Sequence, residues 1–231
     1  MKKKIFLSLI LSASMLLSAC SFVVNDKVGS SDDDKASSSD SAKPQDSQEE
    51  TEKEEETLKY VHGKVEEHSY SSDFLGLTPK LDESWTLYTD EQLAKQNGIS
   101  DMSEENVNKA LEKNGVLYEI MASQENNENF NIVIENLNVT NNGKTVSGDE
   151  YLDLSLPTLK NSLKSGYDES SAEIGKVTFM GKETGCIKAE VTTGELKAYL
   201  IVVPVMKGNF AALITFTAFT AEGAESMVAV F

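Results

Sequence analysis

The chain has 231 residues and a net charge of −17, from 38 acidic residues and 21 lysines, with no arginine. Because arginine is the side chain best suited to bidentate contacts with phosphate and guanine, this composition argues against a nucleic-acid-binding protein. The length suits one ordinary domain with a tail.

Residues 1–19 have the layout of a secretory signal. Three lysines follow Met1, and the run from Ile5 to Leu17 contains no charged residue. The run is 13 residues long, whereas a helix needs about 20 apolar residues to span a bilayer. The sequence therefore predicts a cleaved signal peptide rather than a spanning helix.

The tetrapeptide that ends at Cys20 resembles the lipobox of bacterial lipoproteins. It reads Leu17-Ser18-Ala19-Cys20. The resemblance implies cleavage between Ala19 and Cys20, with lipid attached to the Cys20 sulfur. Two acyl chains anchor a protein stably, whereas one chain binds reversibly. We therefore expect a protein held on the extracytoplasmic face of the cell membrane through lipid on Cys20.

Residues 20–57 are predicted to be a disordered, acidic and serine-rich linker that begins with the lipidated cysteine. Between Asn25 and Glu56, Val28, Ala36 and Ala42 are the only aliphatic residues, and there is no aromatic residue. Such a segment cannot bury enough apolar surface to offset the entropy of ordering its backbone. A flexible chain of this length has an r.m.s. reach of about 35 Å, so it acts as a spacer.

Apolar residues become periodic from Leu58, which predicts a single globular domain over residues 58–231. Its first half should contain one strand that ends at Ser71 and three further strands, over 74–81, 116–122 and 130–137. Thr89, Ser103 and Ser147 are predicted helix N-caps. Pro157 should kink the third helix or divide it into two pieces, because proline clashes with the carbonyl of Asp153.

The last third of the chain is predicted to be an antiparallel meander. Four strands, over 174–180, 186–192, 196–205 and 210–219, are separated by short turns that contain glycine. The apolar run Leu200-Ile201-Val202-Val203 suits a central strand that is covered on both faces. A final helix over 222–231, capped by Thr220, should pack on the sheet. The fold class is therefore α+β, a mostly antiparallel sheet flanked by helices.

The pattern of aromatic and glycine residues over 58–231 resembles the PsbP/Mog1-like α/β/α sandwich found in many extracytoplasmic bacterial lipoproteins. The matching segments are Tyr70-x₃-Phe74-x-Gly76-Leu77, Trp85, Glu150-Tyr151-Leu152, 179–183 and Phe231. In that family these residues serve packing and turns, and there is no catalytic residue to carry over. Members include photosystem accessory proteins and a nuclear-transport cofactor, so the resemblance implies protein binding without chemistry.

The chain contains no common catalytic or metal-binding motif, and its only histidines are His62 and His68. If both lie on one strand, they are about 20 Å apart, too far to bind one metal ion. We therefore expect that the protein binds neither a metal nor a cofactor and that it is not an enzyme. The free thiol of Cys186 is expected to be buried.

Three functions are left open by the sequence. The first is a non-enzymatic accessory domain that binds a protein or a cell-envelope component. The second is a small-ligand or cation-binding lipoprotein with a cleft near Trp85, in which Tyr70 and Trp85 are the candidate binding residues. The third is a hydrolase assembled from dispersed serine, histidine and aspartate side chains.

Overall fold

The computed structural model describes residues 58–231, and the predicted signal peptide, the lipidation site at Cys20 and the linker over 20–57 lie outside these residues. The described chain is an α+β domain built on a mostly antiparallel sheet, as predicted. No helix in this part of the chain combines the length and the apolar character needed to cross a membrane.

The domain begins with a small two-stranded hairpin of β1 (Lys64–Glu66) and β2 (Ser69–Ser71). The strand predicted over Phe74–Leu81 is wrong. That segment makes only an isolated bridge between Ser72 and Leu77. Gly76 between them has φ of +68°, a left-handed conformation that reverses the chain and ends any extended run.

The main sheet has seven strands. They are β3 (Trp85–Leu87), β4 (Val116–Gln124), β5 (Asn129–Asn136), β6 (Glu169–Phe179), β7 (Lys182–Thr193), β8 (Leu196–Lys207) and β9 (Phe210–Ala218). Their order across the sheet is β3-β4-β5-β9-β8-β7-β6, and every neighbouring pair is antiparallel. The predicted meander of the last third is confirmed, and β6 forms one edge of the sheet.

Five helices accompany the sheet within residues 58–231. They are α1 (Asp90–Asn97), α2 (Glu104–Asn114), α3 (Leu137–Thr140), α4 (Gly148–Gly166) and α5 (Ala221–Val228). The predicted caps at Thr89, Ser147 and Thr220 are confirmed, because each side chain accepts a backbone N–H of the first turn. Ser103 precedes α2 but makes no such bond.

Pro157 lies inside α4, which is a single helix of 19 residues. Of the two predicted effects of the proline, division into two pieces is therefore wrong, and a kink stays a prediction. Apolar side chains on both sides of the proline are buried against the sheet, including Leu152, Leu159 and Leu163. We infer that this packing holds both halves in one helix in spite of the lost hydrogen bond.

Helices cover both faces of the sheet. Ile201 and Val203 of β8 pack in one core with side chains of α1, α2 and α5. Leu200 and Val202, which point the other way, pack in a second core with α4. The prediction that this strand is covered on both faces is therefore confirmed. Cys186 is also buried, as expected.

Candidate functional site

The polar centre of the domain is the carboxylate of Glu119, which sits at an irregularity in β4. The register between β4 and β5 shifts between Tyr118 and Ile120, so Glu119 has no partner across the ladder. Its side chain is fully buried. A buried carboxylate is costly unless hydrogen bonds and an opposite charge compensate its lost hydration.

Hydrogen bonds from the N-terminal segment satisfy this carboxylate. Its Oε1 accepts the backbone N–H of Gly63 at 2.7 Å and the hydroxyl of Tyr70 at 2.9 Å. Its Oε2 lies 2.7 Å from Nδ1 of His62. We call these four residues the Glu119 cluster. It joins residues near the start of the domain to β4, which is 49 to 57 positions later in the chain.

The ring of His62 lies between two carboxylates. Nε2 is 3.3 Å from the Oδ1 of Asp90 at the start of α1, opposite the contact of Nδ1 with Glu119. Burial lowers the pKa of His62, but the hydrogen bonds and negative charges of Glu119 and then Asp90 outweigh it, and the pKa is raised above 6.5. The two acids therefore favour the protonated form of the ring, in which both nitrogens can donate.

Two tyrosines complete the surroundings of Glu119. Burial, and then the negative charge of Glu119, raise the pKa of Tyr60 and of Tyr70 well above 10, so both phenols stay protonated. Tyr60 is tied through its backbone N–H and carbonyl to the side chain of Asn108 in α2. The segment that follows the predicted linker is therefore held to the rest of the domain by two contacts, one with Asn108 and one with Glu119.

The contacts of the Glu119 cluster hold the N-terminal segment against β4 and leave neither ring nitrogen of His62 free of a carboxylate. A general base needs a ring nitrogen free to accept a proton from a nucleophile, but both nitrogens of His62 face carboxylates. The Cys186 thiol is no substitute, because burial raises its pKa. Within residues 58–231, no three histidine, cysteine or acidic side chains are placed to hold a metal ion.

The two histidines do not share a strand, so the separation of about 20 Å that holds for a single strand does not apply to them. His62 precedes β1, whereas His68 lies in the turn between β1 and β2, with Nδ1 3.3 Å from the carbonyl of Trp85. Sequence reasoning missed His62 and Glu119 as a pair. The one local signal was a single carboxylate, Glu119, inside the otherwise apolar run of 116–122.

The candidate binding residues Tyr70 and Trp85 lie in the core. Tyr70 is 1% exposed and Trp85 is 2% exposed. The indole of Trp85 packs against Phe130, with 5.2 Å between ring centroids. Neither ring presents a face to solvent on which a ligand could stack.

Three surface clefts border the edge strand β6, and a fourth, of about 450 Å³, lies beside Lys59 and α2. A cleft of about 640 Å³ lies between the start of β6 and the end of α4, where Leu163, Lys164 and Ala172 line it. A second, of about 370 Å³, lies between Val177 and the end of α5 at Val228. A third, of about 290 Å³, is lined by side chains of β6, β7 and β8, among them Glu173, Lys188 and Tyr199.

The edge strand β6 is longer than the strand predicted over 174–180. It begins at Glu169, and Asp168 just before it accepts the backbone N–H of Gly194 at 2.8 Å. The result is an eleven-residue edge strand bordered by concave surface along its length.

No known family model matches the chain, and a search of curated proteins finds no significant relative.

Proposed function

We propose that the chain is a lipoprotein whose acyl chains on Cys20 hold it on the extracytoplasmic face of the cell membrane. Residues 58–231 are its functional domain, a non-enzymatic accessory domain that binds another protein or a component of the cell envelope. The observation that carries the binding role is the open edge of β6, with clefts on both faces of the strand. The resemblance of residues 1–20 to a lipoprotein signal supports the location.

We assign the finer fold type to the PsbP/Mog1-like sandwich. Its supports are the helices on both faces of an antiparallel sheet and the C-terminal helix followed by Phe231. Phe231 packs against Phe130 and Phe216, with ring centroids 5.3 and 5.6 Å apart. A shared fold is a weak guide to function, so the binding role depends on the surface and not on the resemblance.

The two other functions have less support. A ligand cleft near Trp85 would need an accessible indole, and this one is 2% exposed. A hydrolase would need a histidine nitrogen that reaches a nucleophile, and both nitrogens of His62 are occupied by acids.

The proposal predicts that the lysines of the full-length protein react with a membrane-impermeant, amine-specific crosslinker on intact cells. The domain carries 14 lysines, so several sites are available. The expected products are labelled protein and a discrete adduct of higher mass, resolved by immunoblot and identified by mass spectrometry. Labelling that requires cell lysis would contradict the location, and labelled protein without any adduct would contradict the binding role.

A further inference from the structure

We propose that the edge of β6 is a docking site for an extended, basic segment of a partner protein, which adds to the sheet as a further strand. Strand addition gains affinity from main-chain hydrogen bonds and specificity from pockets for alternate side chains. The inference rests on the proposed binding function and names the surface and the class of partner.

The main chain of β6 is the first support. β6 and β7 are joined by the two-residue loop of Met180 and Gly181, both with positive φ, at 51° and 72°. In such a hairpin the flanking pair, Phe179 and Lys182, is hydrogen-bonded, and hydrogen-bonded pairs then alternate along the ladder. The N–H and C=O groups of alternate residues therefore face the open edge: Ser170, Ala172, Ile174, Lys176 and Thr178.

Among residues 58–231, β6 pairs with β7 alone, so this row of donors and acceptors has no strand opposite it. Soluble proteins usually protect such an edge, commonly with lysine side chains. Here Lys176 is turned towards β7, because its Nζ lies 2.6 Å from Oε1 of Glu183. Gly175 has no side chain, and Ile174 leaves an apolar side chain 42% exposed at mid-strand.

The clefts are the second support, because an added strand points successive side chains to opposite faces of the sheet. On the α4 face, the cleft of about 640 Å³ beside Leu163 and Ala172 would receive one set. On the opposite face, the cleft of about 370 Å³ beside Val177 and Val228 would receive the other. An edge strand with space on one face alone would not offer this alternation.

The charge of the domain defines the partner's chemistry. Residues 58–231 carry 26 acidic residues and 14 lysines, a net charge of −12. Lys176 and Lys188 at the clefts are each paired with a glutamate. Glu173, which faces Lys188 across the β6–β7 ladder, adds a further carboxylate to the third cleft. An extended segment that carries lysine or arginine complements this surface and associates faster at low salt.

Site-specific photocrosslinking of the full-length protein in intact cells tests the proposal. A benzophenone amino acid replaces Ile174 on β6 or, as a control of equal exposure, Val139 on α3, which is 43% exposed. We expect an adduct with another protein from position 174 and none from position 139. Mass spectrometry should place the crosslink in a partner segment that contains lysine or arginine.

A second pair of variants tests the main-chain contact, with the benzophenone amino acid in place of Ser170. Ile174→Pro removes an N–H that faces the open edge, which an edge strand tolerates, while Ile174→Ala removes only the side chain. We expect at least a tenfold loss of adduct with Ile174→Pro, little loss with Ile174→Ala, and thermal midpoints near that of the wild type for both.

Three results would overturn the proposal: equal adducts from positions 174 and 139, an adduct unaffected by Ile174→Pro, or an adduct whose mass is that of a second copy of this chain. If the amine-specific crosslinker still yields a partner adduct in these cases, the binding function stands and the β6 edge is the wrong surface. If neither reagent yields an adduct, both proposals fail.

Discussion

Replacing Glu119 with alanine is expected to lower the free energy of unfolding by about 3–5 kcal/mol, because removing one member of a buried charge pair leaves the other uncompensated. The change leaves the N–H of Gly63, the hydroxyl of Tyr70 and the ring of His62 without their acceptor. Since a domain is stable by about 5–15 kcal/mol, such a loss is a large part of the total. Urea titration followed by circular dichroism measures it.

The matched control is Glu105→Ala, which removes an acid from an exposed ion pair with Lys109 on α2. We expect little change in stability there, because exposed pairs contribute little. A loss below about 1 kcal/mol for Glu119→Ala, no more than one ordinary hydrogen bond, would show that the Glu119 cluster does not fasten the N-terminal segment.

The same cluster should make stability depend on pH. A histidine whose pKa is raised on folding stabilises the protein fully below its unfolded pKa of 6.5, and this stabilisation is lost as the pH rises through the folded pKa. Wild-type stability should therefore fall from pH 6.5 upwards. His62→Gln should flatten this part of the profile, and a wild-type profile that matches the variant's would contradict the raised pKa.

Trp85→Ala is expected to lower the free energy of unfolding by about 3–5 kcal/mol, the usual cost of deleting a buried aromatic side chain. The ring is 2% exposed and packs against Phe130, so its loss leaves a cavity in the core. Val139→Ala, at a residue 43% exposed, should stay within about 0.5 kcal/mol of the wild type. Urea titration followed by circular dichroism compares the two variants.

Because Trp85 is the only tryptophan in the chain, its fluorescence gives an independent readout. We expect blue-shifted emission in the native protein, weak quenching by acrylamide and a red shift on unfolding. If Trp85 were instead exposed so that a ligand could stack on it, acrylamide would quench its native emission strongly. Trp85→Ala would then be as stable as the wild type.

Local patterns predicted much of the fold. Thr89 with Gln92, and Ser147 with Glu150, form capping boxes that can be recognised from their spacing alone. The last four strands follow each other in the sheet as they do along the chain, because short turns leave antiparallel pairing as the only choice. Such features depend on residues within a few positions of one another.

Features that depend on distant residues were missed. His62 and Glu119 are 57 positions apart, and no local pattern indicates that the bulge in β4 turns a carboxylate towards that ring. The chain around Phe74 has the composition of a strand, but Gly76 reverses it, and within residues 58–231 it makes only the bridge between Ser72 and Leu77. The meander also gives no sign that β6 forms the edge, since that depends on β9 pairing with β5 across a long connection.

We propose that lipid on Cys20 holds a binding domain outside the cell, and growth with labelled palmitate tests this anchoring most directly. The wild-type chain and a Cys20→Ser variant are compared for label, for processing between Ala19 and residue 20, and for recovery with membranes. We expect the wild type to be labelled, processed and membrane-bound, and the variant to fail in labelling and processing. A Cys20→Ser protein that is labelled, processed and sedimented like the wild type would contradict the account.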